Sequence, residues 1–149
     1  MDEVHLTFLG TRADTEAHTH LHDMHSVLQV ARGGGAPVAV DCGADWLGRV
    51  MAWPARAIVI THAHSDHAWG LKEGAPCPVY ATNTAWEGLE TFPIGERHVV
   101  TPRQPFEAEG LTFEAFPVDH SSIAPAVGYR ISGGDMVFFY VPDVVWIKD

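Results

Sequence analysis

The run Thr61-His62-Ala63-His64-Ser65-Asp66-His67 sets three imidazoles and a carboxylate side by side, directly behind the apolar stretch Ala57-Ile58-Val59-Ile60. No other feature constrains the fold as strongly. So many polar ligands cannot crowd the end of a buried segment unless something satisfies them together, and a pair of adjacent metal ions does so. Imidazole nitrogen and carboxylate oxygen suit zinc, iron and manganese. In a helix His62 and His64 would point about 200° apart, whereas in an extended segment they share a side. The pair is therefore expected at a strand end, holding one ion. Asp66 and His67 fall in the following turn, where the chain can swing them towards a second ion. The plain alternative, a polar loop rich in histidine, accounts better for a lone histidine than for four ligand types gathered behind a strand.

The chain of 149 residues suits one domain, residues 1–149. Its 46% hydrophobic and 19% charged residues can support a core and do not read as disorder. The net charge of −10 repels polyanions, which argues against a general nucleic-acid binder. No apolar run is long enough to span a membrane. Met1-Asp2-Glu3-Val4-His5 lacks the basic and apolar regions of a signal peptide, so a cytoplasmic protein is expected. Cys42 and Cys77 stand far apart and read as thiols rather than a disulfide framework.

Along the chain, Val4 to Leu9 reads as a first strand, and Arg12 to His25 as a polar loop. Ser26 to Ala31 and Pro37 to Asp41 read as strands joined by the Gly33-Gly34-Gly35 hairpin signal. Ala44 to Trp53 has helical spacing, with Trp46, Leu47, Val50 and Met51 on one side. Pro78 to Ala81 is a short strand, and Asn83 or Thr84 caps a helix through Trp86 and Leu89. Four more strands follow, around His98 to Val100, Leu111 to Val118, Ala126 to Ile131 and Met136 to Val141, the last two joined at Gly133-Gly134-Asp135. The pattern predicts a mixed β-sheet with helices packed on one face.

Two further residues fit the same site. His120 follows the strand ending in Val118, and Asp143 follows the strand ending in Val141. Strand-to-loop junctions are where sites are usually carried, although each residue taken alone reads as an ordinary turn Asp or surface His. Asp41, at a third junction, is expected to orient a histidine or the turn rather than to bind metal.

At this point the chain resembles the metallo-β-lactamase superfamily of binuclear metallohydrolases. His62-Ala63-His64-Ser65-Asp66-His67 matches its His-x-His-x-Asp-His signature, and Val40-Asp41-Cys42-Gly43 resembles the preceding Asp motif. His120 and Asp143 match the third and fourth motifs, and Phe8-Leu9-Gly10-Thr11 resembles the subgroup of ribonuclease Z and the cyclic phosphodiesterase of phosphonate breakdown. The resemblance implies an α+β fold, the αββα sandwich, and two divalent ions, zinc foremost with manganese or iron as alternatives. It assigns His62, His64 and His120 to the first ion and Asp66 and His67 to the second, with Asp143 bridging. It also implies a hydroxide between the ions as nucleophile, oriented by Asp66 as the catalytic carboxylate, in the hydrolysis of a small phosphodiester.

Relatives continue past the fourth motif and add a fifth, which gives the second ion a last histidine. Here no His follows His120, and the sequence ends at Asp149. The N-terminal portion alone is thus expected, as a truncated chain or a half-fold completed by a partner, with the second layer of the sandwich largely missing. A bare sheet face carrying Phe113, Phe116, Phe138, Phe139 and Trp146 then predicts a homo-oligomer. In some relatives the loop at His18, His20, His22 and His25 carries a separate structural zinc; the alternative is a polar loop over the mouth of the site. Trp69, Tyr129 and Arg130 read as core, and His5 and His98 as incidental. Competing functions are a catalytically weak metal-binding half-domain that self-associates, ribonuclease Z-like RNA processing, which the acidic charge disfavours, and β-lactam hydrolysis, which the lack of a secretory signal disfavours.

Overall fold

The computed structural model describes residues 3–147; the residues at the extreme ends on which the signal-peptide and chain-end expectations partly rest lie outside them. Among the described residues eleven strands form two sheets. The first holds β1 (Val4–Gly10), β2 (Val27–Arg32), β3 (Val38–Val40), β4 (Ala57–Val59), β5 (Val79–Thr82) and β6 (Arg97–Val100), in that spatial order. β1 to β3 are antiparallel neighbours, while β3 to β6 run parallel. The second sheet orders β10 (Met136–Tyr140), β9 (Ala126–Gly133), β8 (Leu111–Asp119) and β11 (Trp146–Ile147), with β7 (Phe106–Ala108) also on β8.

The period-2 pattern decides how the layers stack. Leu28, Val30, Val38, Val40, Ala57 and Val59 face the second sheet and meet Leu111, Phe113, Ala115, Tyr129 and Ile131 there. Their alternates Val27, Ala39, Ile58, Ile60, Val79 and Ala81 face the helical layer. That layer comprises α1 (Ser65–Ala68), α2 (Asn83–Gly88) and short 3-10 turns, which bury Val50, Ala68, Leu71, Ala85, Trp86 and Leu89 on this face. Among the described residues every helix packs on this one side, and none is long and apolar enough to cross a membrane.

Several expectations need correction. The second layer is not largely missing: β7 to β11 build it, and Phe113 is fully buried between the sheets. Phe116 is also covered, on the outer face, in a small cluster with Val118, Ala126 and Val141. Phe139 and Trp146 do stand exposed, at 63% and 70%. The helix expected over Ala44 to Trp53 is two separate 3-10 turns, Ala44–Trp46 and Val50–Ala52. Gly48 between them takes φ 78°, a left-handed break that an α-helix cannot carry. Thr82, not Asn83 or Thr84, caps α2, its Oγ1 accepting from the Ala85 N–H.

Candidate metal centre

All the expected ligands lie at one edge of the sandwich, because the strands that deliver them end there. β3 and β4 run parallel and end at Val40 and Val59, just ahead of Asp41 and His62. β8 and β10 both pair antiparallel with β9, so their C-terminal ends, which lead to His120 and Asp143, share a side. The Val127 N–H donates to the Thr61 carbonyl at 3.0 Å and brings the start of β9 to the end of β4. The buried Tyr129 hydroxyl adds a hydrogen bond to the Ile60 carbonyl at 3.0 Å.

The expected turn at Asp66 and His67 is a four-residue helix, α1. Such a short helix does not stand on its own propensity. It is pinned from outside: Cys42 N–H donates to the His67 carbonyl at 2.7 Å, and Gly70 N–H to the Cys42 carbonyl at 2.9 Å. Gly43 permits this approach, since a Cβ there would collide with His25 and with the Asp66 backbone. Trp69, expected as core, is 38% exposed, and its indole N–H donates at 3.1 Å to the carbonyl of Ala63, the residue between His62 and His64.

Two groups of ligand atoms result. His62, His64, His120 and Asp143 form one, Asp66, His67 and Asp143 the other, and within each group the atoms lie inside 4.8 Å of one another. Asp143 Oδ2 belongs to both. It stands 3.4 Å from His62 Nε2, 3.1 Å from His67 Nε2 and 3.5 Å from His120 Nε2. His64 Nδ1 and His120 Nε2 face each other at 3.1 Å, and Asp66 Oδ2 lies 3.2 Å from His67 Nε2.

Behind the ligands sits Asp41, fully buried at φ 66°. Its Oδ2 accepts from His67 Nδ1 at 2.7 Å. Its carboxylate also accepts from the Thr61 N–H at 2.8 Å and the Thr61 hydroxyl at 2.8 Å. That hydroxyl, spent as a donor on Asp41, accepts from His62 Nδ1 at 2.9 Å. One carboxylate therefore fixes the tautomer of a histidine in each group, directly for His67 and through Thr61 for His62. With Nδ1 engaged on both rings, Nε2 is the nitrogen turned to the centre, where a metal ion would take the place of a proton. The orienting role expected of Asp41 rests on these bonds; the intermediary, Thr61, carried no signal in the sequence beyond its place at the strand end.

The electrostatics ask for positive charge. The imidazoles of His62 and His67 hold the Asp143 carboxyl well below the usual carboxylate range. Burial opposes charge on His67, yet Asp41, then Asp143 and Asp66, outweigh it and push the imidazole up to about 12. Burial and the neighbouring His62 ring lower His64 and His120, which keeps them neutral with lone pairs available. His62 Nε2 is buried and makes no hydrogen bond, its 3.4 Å approach to Asp143 notwithstanding. A buried polar nitrogen without a partner costs on the order of 1–3 kcal/mol. Imidazole and carboxylate donors facing one point, one of them otherwise unsatisfied, fit a divalent metal ion.

The loop histidines do not assemble. His18 pairs with Asp23 at 3.0 Å, and His22 Nδ1 meets Thr11 Oγ1 at 2.8 Å. Among the described residues neither joins a ligand group, and the separate zinc site considered from the sequence has no geometry here. His25 instead packs in a clamp that the sequence did not reveal. Asp45 accepts from the His25 N–H at 3.0 Å and binds the buried Arg12 guanidinium, which also donates to the carbonyls of Thr15 and Asp23.

A two-sheet sandwich with a helical layer and a His/Asp centre at the strand ends is the arrangement of the metallo-β-lactamase fold. Residues 37–149 match the family described as the Beta-lactamase superfamily domain, and the chain belongs to that family. Exodeoxyribonuclease WalJ of Streptococcus pneumoniae (serotype 2, strain D39) is 28% identical over 102 residues, covering 62% of this chain and 38% of its own length. Ribonuclease Z of Mycobacterium bovis (strain BCG / Pasteur 1173P2) is 26% identical over 141 residues, covering 68% and 50%. The metallo-beta-lactamase fold protein YhfI from Bacillus subtilis superposes with a TM-score of 0.71 at 18% identity, over 92% of this chain and 61% of that one. A diphosphatase of the PhnP family gives 0.67 at 25% identity, over 87% and 62%. The chain spans about half the length of the curated relatives it matches.

Proposed function

We propose that this chain carries the centre of a cytoplasmic binuclear hydrolase that cleaves a phosphodiester, most readily a small one. The observation that carries the reading is Asp143 Oδ2, a single carboxylate oxygen within 3.5 Å of nitrogens from both ligand groups. His62, His64 and His120 would hold one ion and Asp66 and His67 the other, with Asp143 shared and zinc or manganese as the metals. Bound there, the ions would supply a water of lowered pKa and positive charge opposite the phosphoryl oxygens. The protein's own groups do the rest. Asp41 and Thr61 hold the two imidazoles in the ligating tautomer. Burial opposes charge on Asp66, 4% exposed, yet His67 holds its carboxyl below the ordinary carboxylate range, so it stays ionised and would orient the attacking water by accepting a hydrogen bond from it.

Nucleic acid is the second reading, supported by the names of the ribonuclease Z and exodeoxyribonuclease relatives. The net charge of −10 weighs against it. Turnover of bis-p-nitrophenyl phosphate by the zinc- or manganese-loaded chain, measured beside cleavage of a short RNA and a short DNA, separates the two. Faster cleavage of the oligonucleotides favours the nuclease. Metal uptake without turnover of any of the three favours a metal-binding half-domain and defeats both hydrolase readings.

A further inference from the structure

The C-terminal ends of the parallel strands β5 and β6 lie beside the end of β4, which carries His62. Ligands of open parallel sheets characteristically bind outside such strand ends. A cleft of about 250 Å³ opens there, between Thr82 and Thr84 of α2 and its cap, Thr101 and Pro102 after β6, and Pro125 and Ala126 at the start of β9. Pro125 also lines a second cleft that contains His120, so the two lie next to each other at the loop from β8 to β9. The first cleft is tied to the metal centre by the backbone as well, through the Val127 N–H on the Thr61 carbonyl.

Its chemistry differs from that of the centre. No described residue lining it carries a charge: the walls are proline, alanine and valine, with threonine hydroxyls and one asparagine at the rim. The Thr82 and Thr84 hydroxyls are bonded to each other at 3.1 Å, which holds the rim side chains in place. No described residue there offers a positive charge to a phosphate. An uncharged ring does, with apolar faces against the prolines and polar edges against the hydroxyls. The volume lies just under the range of about 300–1,000 Å³ typical of pockets for drug-sized ligands, which limits the occupant to one ring system.

We propose that this cleft is the subsite for one ester group of the substrate, a neutral ring-bearing alcohol such as an aryl group or a nucleobase-sized heterocycle. The inference rests on the phosphodiesterase reading, with the phosphate at the His/Asp centre and the ring reaching past Pro125.

The test uses p-nitrobenzyl alcohol, a neutral ring with no phosphate. Titrated into the ¹⁵N-labelled metal-loaded chain, it should move the amides of Thr84, Thr101, Ala126 and Val127 saturably, with a dissociation constant of about 1 mM, as befits a small fragment. Thr84→Trp and, independently, Thr101→Trp should each fill the cleft from an exposed position and weaken binding by about tenfold or more. Circular dichroism confirms that each variant is folded. The alcohol should also inhibit diester turnover competitively in the wild type. Shifts scattered over the surface, or binding that neither variant weakens, overturn the subsite. If no diester is turned over, the hydrolase reading fails while the amide shifts still decide the cleft.

Discussion

Replacing Asp41 with Asn keeps the shape of the side chain and removes its charge. Asn also tolerates the left-handed φ of 66° at this position, so the backbone does not confound the result. Asp41 accepts from His67 Nδ1 and from both the amide and the hydroxyl of Thr61. An amide offers one oxygen and two N–H groups to those three donors, so in either flip a donor faces a donor. Loss of the charge-assisted bond to His67 costs about 1.5–3 kcal/mol, and a buried donor left unpaired about 1–3 kcal/mol. Partial relaxation leaves an expected destabilisation of about 2–4 kcal/mol, within the roughly 5–15 kcal/mol of a typical domain. The second effect falls on the centre. Without Asp41 as acceptor, His67 is free to carry its proton on Nε2, which closes that lone pair to a metal, and the Thr61 hydroxyl no longer has a fixed acceptor. Metal affinity should fall by about 10–100-fold, the usual cost of losing such an outer partner. Urea denaturation gives the first number, and competition with a chromogenic chelator gives the second. A D41N chain that loses stability but binds metal as tightly as the wild type would refute the claim that Asp41 sets the ligating tautomers.

Three further outcomes are expected. Burial opposes the charge on Asp45, but Arg12 and then His25 hold its carboxyl below the ordinary value. The stability it contributes is present above the unfolded pKa of about 3.9 and is lost as pH falls through the lower folded value. D45N should therefore flatten the acid limb of a urea-midpoint profile below about pH 4, and an unchanged limb would remove the clamp from the account. Phe139 and Ile147 stand exposed on the outer side of the second sheet, with Val145 and Trp146 exposed at its edge strand, so sedimentation should give a dimer at micromolar concentration that F139E converts to monomer; a monomeric wild type contradicts this. Graded chelation should remove an ion from Asp66, His67 and Asp143 before the three-histidine site releases its own, and the second loss should lower the thermal midpoint more. Equal midpoint changes at both steps would contradict the unequal sites.

The positions that gather at the candidate centre could be read in the sequence because local rules deliver them. His62 and His64 share a side in extended chain, and His120, Asp143 and Asp41 all follow apolar runs that end in a turn. What could not be read is what depends on distant pairing. Leu111 to Val118 announces a strand, but nothing in its pattern says that it joins a second sheet with β9 and β11; the second layer was expected to be largely missing because members of the resembled family continue past the fourth motif. The alternation of Phe113 and Phe116 puts one between the sheets and the other on the outer face, and burial of both depends on neighbours far along the chain. The helical spacing of Ala44 to Trp53 was real as a pattern, and Gly48 overrode it. Thr61 and Trp69 act through a hydroxyl and an indole N–H whose partners only the fold supplies.

The central claim is that two ions share Asp143, and metal counting tests it most directly. Equilibrium dialysis against zinc or manganese, followed by elemental analysis, should give two ions per chain in the wild type. H64A should keep only the ion at Asp66 and His67, and D143N should weaken both. One ion per chain, or a pair whose retention is indifferent to Asp143, would contradict the account.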